Sequence, residues 1–270
     1  MGLFRRRKQA EEAAAPPPPR LLSYRAANLQ GVGTRKRQED SFAFVNAMDV
    51  TMIRREGLLA IVADGMGGME DGKLVSQGAV SLLTESFSRM DRGADLAAQL
   101  QSSLLTAGDA LFRRFGGSGG TTAAVCLLFD EKLYWASVGD SYLYLKRGEG
   151  LYRLNRDQNY RAELYLRAVR DGVLSSAEAD ADPDGSRLSE FLGKDEIGSV
   201  DCCLRPLSLE DGDKLLLCSD GVGGVLTEDD LLLCLRGDPA NACSCIEAGI
   251  RAAARVHQDN YTALVLECGY

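Results

Sequence analysis

Acidic residues stand at the ends of several apolar segments of this 270-residue chain. Two segments share one design, LLAIVADGMGG around Asp64 and KLLLCSDGVGG around Asp220, in which an apolar run is followed by Asp-Gly and more glycine. Glycine allows a sharp turn there and leaves the backbone carbonyl accessible. Three more acidic sites adjoin apolar segments: Glu39–Asp40 before SFAFV, Asp140 after KLYWASV and Asp259 before YTALVLE.

Carboxylates gathered at the rim of a sheet repel one another unless cations neutralise them. Hard divalent ions with oxygen ligands, Mg²⁺ or Mn²⁺, suit such a cluster. For each position alone, the simpler explanation is that Asp and Gly mark a turn after a strand. The chain has a single histidine, His257, so histidine-based metal sites and Ser-His-Asp triads are nearly excluded. Taken together, the five positions favour a metal site.

The pattern between these positions predicts short strands and amphipathic helices. Segments rich in β-branched and aromatic residues and bounded by Gly or Asp predict strands at Ser41–Val45, Leu58–Ala63, Thr121–Phe129, Lys132–Val138, Tyr142–Lys146, Lys214–Cys218 and Tyr261–Glu267. Apolar residues three and four apart predict helices at Val75–Met90, Ala94–Phe115, Arg161–Asp171, Glu228–Leu235 and Ala240–Val256. Consecutive strands without helices between them favour antiparallel sheets with helices packed outside, an α+β class.

Composition bounds the function further. The formal net charge of −8 argues against nucleic acid as the main partner, because phosphate binding needs a basic surface. The longest apolar run, residues 123–129, is far shorter than the ~20 residues of a membrane-spanning helix. The eight cysteines lie in apolar surroundings and no signal peptide precedes them, which favours buried thiols in a reducing cytoplasm over disulfides.

Two regions differ from the rest of the chain. Residues 1–20 combine a basic cluster with an Ala/Glu/Pro tract, which predicts a disordered arm, and residues 21–270 are expected to form a single domain. Residues 155–197 are more polar than their flanks and are expected to form a mobile insertion in that domain.

Two phosphate-related motifs occur in the sequence and both are incomplete. Gly67-x4-Gly72-Lys73 matches the start of a P-loop, but Leu74 stands where Ser or Thr should bind magnesium. Cys245-x5-Arg251 has the spacing of a cysteine-dependent phosphatase, but it falls inside a predicted helix instead of a phosphate-cradling loop. Neither motif is therefore expected to carry the function.

Six motifs in order give the chain a family resemblance. The segments GVGTRKRQEDSFAF, IVADGMGGMEDGK, GGTTAAV, SVGDS, LCSDGVGGVLTEDDL and QDNYTALVL resemble the successive motifs of the metal-dependent protein phosphatase 2C (PPM) family in its bacterial form. The resemblance covers residue 21 to the C-terminus. It implies a four-layer α-β-β-α sandwich of two antiparallel sheets flanked by helices. It also implies hydrolysis of phosphoserine and phosphothreonine in proteins with two Mn²⁺ or Mg²⁺ ions, through a hydroxide that bridges them.

The resemblance assigns roles to particular residues. Asp64 is similar to the carboxylate that bridges both ions, and Gly65 to a residue that offers its backbone carbonyl. Arg35 resembles the arginine that grips the substrate phosphate. The remaining implied metal ligands are Asp220 and Asp259 at one ion, Glu39 at the other, largely through water, with Asp40 beside it, and Asp140 at a third, weaker site. Residues 155–197 resemble the flap that borders the active site.

The resemblance also implies partners, and two alternatives stay open. The expected partners are phosphorylated proteins, substrates of a Ser/Thr kinase, and the chain is expected to be a cytoplasmic monomer. Gln38 replaces a usual Asn, and Met66 leaves no histidine acid of the eukaryotic kind, so that His257 is a candidate substitute. A P-loop-like nucleotide-binding protein and a non-catalytic, metal-stabilised binding module of the same fold remain as alternatives.

Overall fold

The structure is a computed structural model that describes residues 22–67, 71–172 and 175–270. In chain order the strands are β1 (Ser23–Gly31), β2 (Ser41–Val45), β3 (Leu58–Ala63), β4 (Gly65–Met66), β5 (Gly120–Thr121), β6 (Ala123–Phe129), β7 (Lys132–Val138), β8 (Tyr142–Arg147), β9 (Gly150–Arg153), β10 (Asp201–Cys202), β11 (Leu207–Ser208), β12 (Lys214–Cys218) and β13 (Tyr261–Gly269). The helices are α1 (Val50–Glu56), α2 (Asp71–Arg89), α3 (Leu96–Phe115), α4 (Tyr160–Asp171), α5 (Ser176–Ala181), α6 (Asp220–Gly223), α7 (Glu228–Cys234) and α8 (Pro239–Ala253).

The long strands form two antiparallel sheets. The first sheet has the order β1-β13-β12-β8-β9, and the second has the order β10-β7-β6-β3-β2, with β11 also paired to β7. The longest ladder joins β1 to β13 over nine residue pairs, from Ser23–Gly269 to Gly31–Tyr261. The short strand β4 follows β3 in the chain, and the short strand β5 precedes β6. These two short strands pair with each other.

Alternation along β3 shows where the two sheets meet. Leu58, Ala60 and Val62 belong to a fully buried cluster with residues of β8, β12 and β13, so this face of β3 packs against the first sheet. Leu59 and Ile61 point to the opposite face and pack with α2 and α3. Because successive side chains of a strand point to opposite faces, one apolar run supplies two layers of core.

Helices cover both outer faces. The apolar face of α3 carries Leu96, Leu100, Leu104 and Leu111 into the core beneath the second sheet. On the other side, α7 and α8 pack against the outward face of β12 and β13. The predicted four-layer α-β-β-α sandwich is therefore confirmed.

The helix ends follow local chemistry. At the start of α3 the Asp95 side chain accepts a hydrogen bond from the Ala98 amide (3.1 Å), and at its end Gly116 takes a left-handed conformation with φ of 60°. These are the preferred N-cap and C-cap residues of helices. The five predicted helices and seven predicted strands are all present. Boundaries differ by a few residues, most of all in α2, which begins four residues before the predicted start.

The structure adds elements that the patterns did not indicate. The longest is β1, whose sequence SYRAANLQG contains few strand formers and becomes a strand by pairing with β13 along its whole length. Helix α1 was missed for a similar reason, because none of its residues is fully buried.

The insertion at 155–197 is partly anchored in the core. It contains α4 and α5, and its Leu192 is fully buried in the cluster beneath the second sheet. Short bridges join Leu192 to Thr121 and Leu188 to Asn159. The start of the segment is attached as well, because Asn155 Nδ2 donates to the Ser141 carbonyl (2.7 Å) and the Gln158 amide donates to the Gly139 carbonyl (3.1 Å).

One pair of cysteines corrects the expectation of free thiols. Cys234, the last residue of α7, is disulfide-bonded to Cys245 in α8, with 5.3 Å between their Cα atoms. Apolar neighbours predicted burial, but they could not show that the packing of α7 on α8 places these two residues side by side. The other six cysteines are free, five of them buried.

Two expectations concern the membrane and the N-terminal arm. Within the three described ranges, no helix is both long enough and apolar enough to cross a bilayer. The predicted arm at residues 1–20 lies outside the described residues.

Candidate active site

The register of the two sheets brings the acidic strand ends together. In the second sheet the last residue of β3, Ala63, is paired with the first residue of β2, Ser41. In the first sheet Cys218 at the end of β12 lies between Ala263 of β13 and Tyr142 of β8. The acidic residues that adjoin these strand ends therefore share one end of the sandwich: Asp40, Asp64, Asp140, Asp220 and Asp259.

The backbone of Asp64 is held by two threonines. The Asp64 amide donates to Thr122 Oγ1 (3.0 Å), and its carbonyl accepts from the Thr122 amide and from Thr121 Oγ1 (both 2.9 Å). Thr122 Oγ1 lies in turn 2.6 Å from Ser141 Oγ. These hydrogen bonds fix the position of the Asp64 backbone and therefore of its Cα and Cβ atoms.

The Asp40 carboxylate is buried beneath the site. Its Oδ2 accepts hydrogen bonds from Thr262 Oγ1 (2.7 Å) and Ser219 Oγ (2.9 Å). Its Oδ1 is buried and receives no hydrogen bond from any described residue. Burial raises the pKa of Asp40 to about 6, against the lowering effect of the two hydroxyl donors.

The other carboxyl groups raise one another's pKa. Burial, and then the charges of Asp40 and Asp220, raises the pKa of Asp64 well above its usual value. Burial and the charge of Asp220 raise the pKa of Asp140 to about 7, although Asn159 Nδ2 donates to its Oδ2 (3.3 Å). The pKa of Asp220 is raised by burial and by Asp259. Binding of protons or cations therefore lowers the free energy of this cluster.

The donor set fits Mg²⁺ or Mn²⁺. It offers carboxylate and carbonyl oxygens, and the buried Asp40 Oδ1 has a free lone pair and no donor in the described structure. No three His, Cys, Asp or Glu side chains in the described ranges already stand close enough to hold an ion on their own. Mg²⁺ usually keeps several of its waters, so carboxylates set somewhat apart remain compatible with a water-rich site.

Close backbone packing shapes the site at two glycines. A Cβ at Gly65 would lie 2.4 Å from the Gly72 carbonyl oxygen and 2.5 Å from that of Glu39. A Cβ at Gly221 would lie 1.8 Å from the carbonyl oxygen of Asn260. Both glycines follow an aspartate of the site, so the Asp-Gly pairs found in the sequence reflect a contact that admits no side chain.

Asn260, just before β13, holds the loop between β1 and β2 through three hydrogen bonds. Its Oδ1 accepts a hydrogen bond from the Glu39 amide (2.7 Å), and its Nδ2 donates to the carbonyls of Val32 (2.9 Å) and Arg37 (3.0 Å). Sequence reasoning missed this role, as it missed Thr122, Ser219 and Thr262. Asn260 stands in the motif QDNYTALVL, and only the structure shows what its side-chain amide bonds.

A cavity of about 1080 Å³ opens above the carboxylates. Of the predicted site residues, all except Asp40 line it: Arg35, Glu39, Asp64, Gly65, Asp140, Asp220 and Asp259. Asp40 lies below the cavity, against Ser219 and Thr262. In this structure an Arg35 guanidinium nitrogen lies 2.6 Å from Asp259 Oδ2.

The remaining candidates are placed elsewhere. His257 is exposed and lines a smaller neighbouring cavity. Gly72 and Lys73 lie in the first turn of α2, and a Cβ at Gly72 would lie 2.8 Å from Glu39 Oε2, so a carboxylate lies against the start of this helix. Cys245 is disulfide-bonded, and Arg251 pairs with Glu247 on the same helix.

Comparisons with known proteins agree with this arrangement. A family model described as protein phosphatase 2C matches residues 27–163, just over half of the chain. Protein phosphatase PhpP of Streptococcus pneumoniae is 29% identical over 218 residues, which cover 75% of this chain and 80% of that protein. Serine/threonine phosphatase stp of Listeria monocytogenes is 27% identical, over 77% of this chain and 84% of that protein.

Solved structures show the same architecture. The crystal structure of the Mycobacterium tuberculosis serine/threonine phosphatase PstP/Ppp superposes with a TM-score of 0.74 and 25% identity, covering 93% of this chain and all of that chain (100%). A structure of the PstP catalytic domain in complex with two manganese ions superposes with a TM-score of 0.73 and 25% identity, with the same coverage.

Proposed function

Because the chain belongs to the protein phosphatase 2C family and is a metal-dependent protein serine/threonine phosphatase that uses Mn²⁺ or Mg²⁺, we propose that the carboxylates at this end of the sandwich hold its metal ions. The observation that carries the proposal is the convergence of Asp64, Asp140, Asp220 and Asp259 on one cavity, with Asp40 buried beneath it. Burial and then neighbouring carboxylates raise the pKa values of Asp40, Asp64, Asp140 and Asp220.

The ligands divide between two principal ions. Asp64 would serve both, and Gly65 would offer its backbone carbonyl to one of them. Asp220 and Asp259 would complete the protein ligands of one ion. Glu39 would serve the other, largely through water, with Asp40 beside it, and Asp140 would belong to a weaker third position. When bound, such ions activate water and neutralise charge on a phosphoryl group.

Arg35 binds the substrate phosphate. It lines the cavity, is exposed, and has a planar guanidinium that suits bidentate contact with phosphate oxygens. Its ion pair with Asp259 places the guanidinium directly beside the proposed metal ligands. The chain thus provides a cation that can orient the phosphoryl group over them.

The same function bears on the substrates of the enzyme and on the roles of the other chain segments. The substrates are phosphoproteins, and we propose that a Ser/Thr kinase produces them and that the enzyme acts as a cytoplasmic monomer. Residues 186–188 of the insertion line the cavity, which supports a role for the 155–197 segment as a flap. Residues 21–270 then form the catalytic domain, and residues 1–20 an arm outside it.

The test is hydrolysis of a phosphothreonine peptide with Mn²⁺ and with EDTA. Turnover should require the metal. Asp64→Asn should lower kcat by orders of magnitude and should lose most of the rise in Tm that Mn²⁺ gives the wild type, because binding to the folded state alone stabilises it. Asp109→Asn, an exposed position on α3, is the matched control and should behave as wild type.

The outcomes of this test distinguish a catalytic metal site from the alternatives. Near-normal activity and Mn²⁺ stabilisation in Asp64→Asn would mean that the strand-end carboxylates are turn residues only. A wild type stabilised by Mn²⁺ that turns over no phosphopeptide would identify a non-catalytic binding module.

A further inference from the structure

A second cavity, of about 320 Å³, adjoins the larger one. The two cavities share four lining residues, Asp140, Ser186, Asp220 and Asp259, so they meet at the proposed metal site. One wall of the smaller cavity comes from α4, and the other from α6 and residues 255–258. A peptide whose phosphoresidue sits over the carboxylates can therefore place a neighbouring side chain here.

Two arginines from different parts of the chain, Arg161 and Arg255, line this side cavity. Arg161, in the first turn of α4, is half-buried, and its Nε is buried without a hydrogen-bond partner in the described structure. Arg255 is exposed and uses one guanidinium nitrogen to donate to the Gly224 carbonyl (2.6 Å). Neither forms an ion pair with a carboxylate of the described residues. Two guanidinium groups thus face one space without anionic partners.

The acidic residues of the side cavity have other partners. Asp157 forms an ion pair with Arg153 (2.5 Å). Asp180, which does not line the cavity, accepts a hydrogen bond from the hydroxyl of the lining residue Tyr165. Asp140, Asp220 and Asp259 belong to the proposed metal site, where cations neutralise them. After these pairings, Arg161 and Arg255 remain as uncompensated charges, with the single histidine, His257, beside them.

We propose that this side cavity binds an anionic side chain of the phosphoprotein, close in sequence to the phosphoresidue that is hydrolysed. The proposal rests on the proposed function and adds a substrate class to it. Arg161 and Arg255 are its specificity residues, since guanidinium groups bind carboxylate and phosphate oxygens through paired, charge-assisted hydrogen bonds. The same chemistry accepts a glutamate or a second phosphorylated residue.

The experiment compares phosphothreonine peptides that differ at one flanking position. An alanine-based peptide is the reference, and Glu, phosphoserine or Lys is placed in turn at each of three positions on either side of the phosphothreonine. We expect kcat/KM with Mn²⁺ to rise about fivefold for Glu at one or two positions, which is the upper end of the range for a solvent-accessible ion pair. Lys at the same positions should lower it, and the phosphoserine peptides show whether a second phosphate is preferred to a carboxylate.

Variants then locate the effect. In Arg161→Gln and Arg255→Gln the ratio of kcat/KM for the best Glu peptide to that for the alanine peptide should fall towards one, and Arg161→Glu should favour the Lys peptide. Arg167→Gln is the matched control, because Arg167 lies on α4 but does not line the cavity. Its ratio should equal that of the wild type.

The outcomes separate the two proposals. If the wild type hydrolyses all flanking variants equally, the side cavity selects no anion and this inference is overturned while the phosphatase function stands. If the Glu preference persists in both Gln variants, it arises elsewhere and the inference is wrong. If no phosphopeptide is hydrolysed, the proposed function and this inference fall together. The wild-type peptide comparison decides the matter even if a variant fails to fold.

Discussion

The carboxylate of Asp40 accepts hydrogen bonds from Thr262 and Ser219 through one oxygen, and its other oxygen is buried without a donor from the described residues. Sequence reasoning could select Asp40 because Glu-Asp precedes a strand. It could not select Ser219, Thr262 or Thr122, because a hydroxyl that supports a neighbour leaves no pattern in the chain. Predictable site residues are those that carry charge at strand ends, and their supporting residues emerge only from packing.

Removing Arg35 should affect substrate more than metal. Arg35→Ala should lower kcat/KM for a phosphopeptide about tenfold, because a charge-assisted contact to phosphate is lost. Mn²⁺ affinity, measured by calorimetry, should stay the same or rise, because Asp259 loses the cation now 2.6 Å away. Arg25→Ala removes a comparable exposed ion pair, with Glu267, and should change neither quantity. Loss of Mn²⁺ binding in a folded Arg35→Ala would show that the arginine's role is to support the metal site.

Gly221 is the point where α6 meets the chain that leads into β13. A methyl group there would lie 1.8 Å from the Asn260 carbonyl oxygen, so Gly221→Ala must separate the two segments that carry Asp220 and Asp259. We expect a loss of at least about tenfold in kcat, because a small misplacement of reacting groups is costly, together with a lower Tm. Gly93→Ala, where the nearest atom is a movable Asp91 oxygen at 3.3 Å, is the control. Normal activity in Gly221→Ala would mean that the spacing of Asp220 and Asp259 is not critical.

The disulfide between α7 and α8 should be measurable as a thiol count. Alkylation of the unfolded protein should modify six cysteines without reductant and eight after reduction. The bond closes a short loop, with a sequence separation of 11, for which the chain-entropy model gives about 3 kcal/mol of stabilisation. Reduction should therefore lower Tm by several degrees. Eight modified cysteines before reduction would show that the two thiols are packed together but not bonded.

The strands and helices show which elements a sequence can predict. The segments β3, β7 and β12 matched their predicted bounds because each is a short apolar run between turn residues. By contrast, β1 alternates half-buried with exposed residues and is a strand only through its nine pairs with β13. Its partner lies at the far end of the chain, so no local pattern could predict the pairing.

The acidic end of the sandwich also links the stability of the fold to pH. The pKa of Asp40 is raised to about 6 and that of Asp140 to about 7, from a usual 3.8, and the pKa of Asp64 is raised well above its usual value. A carboxyl group with a higher pKa in the folded state binds its proton more tightly there than in the unfolded chain. Without metal, the contribution of these groups to the free energy of unfolding is therefore greatest below about pH 4, and it is lost as pH rises through 6 and 7.

Metal binding should reverse this dependence. With EDTA, the contribution of these carboxyl groups should lower Tm between pH 5 and pH 8 by several degrees, since a tenfold difference in proton affinity between the folded and unfolded states corresponds to about 1.4 kcal/mol. With Mn²⁺, Tm should be higher at pH 8 than at pH 5, because protons compete with the ion for the same oxygens. Asp140→Asn removes one raised group and should flatten the EDTA profile, whereas Asp109→Asn should leave it unchanged. Melting curves of the three proteins at both pH values, with EDTA and with Mn²⁺, provide the measurement. A Tm in EDTA that is independent of pH would mean that folding does not raise the pKa values of these carboxyl groups, and the main physical reason for placing cations among them would be lost.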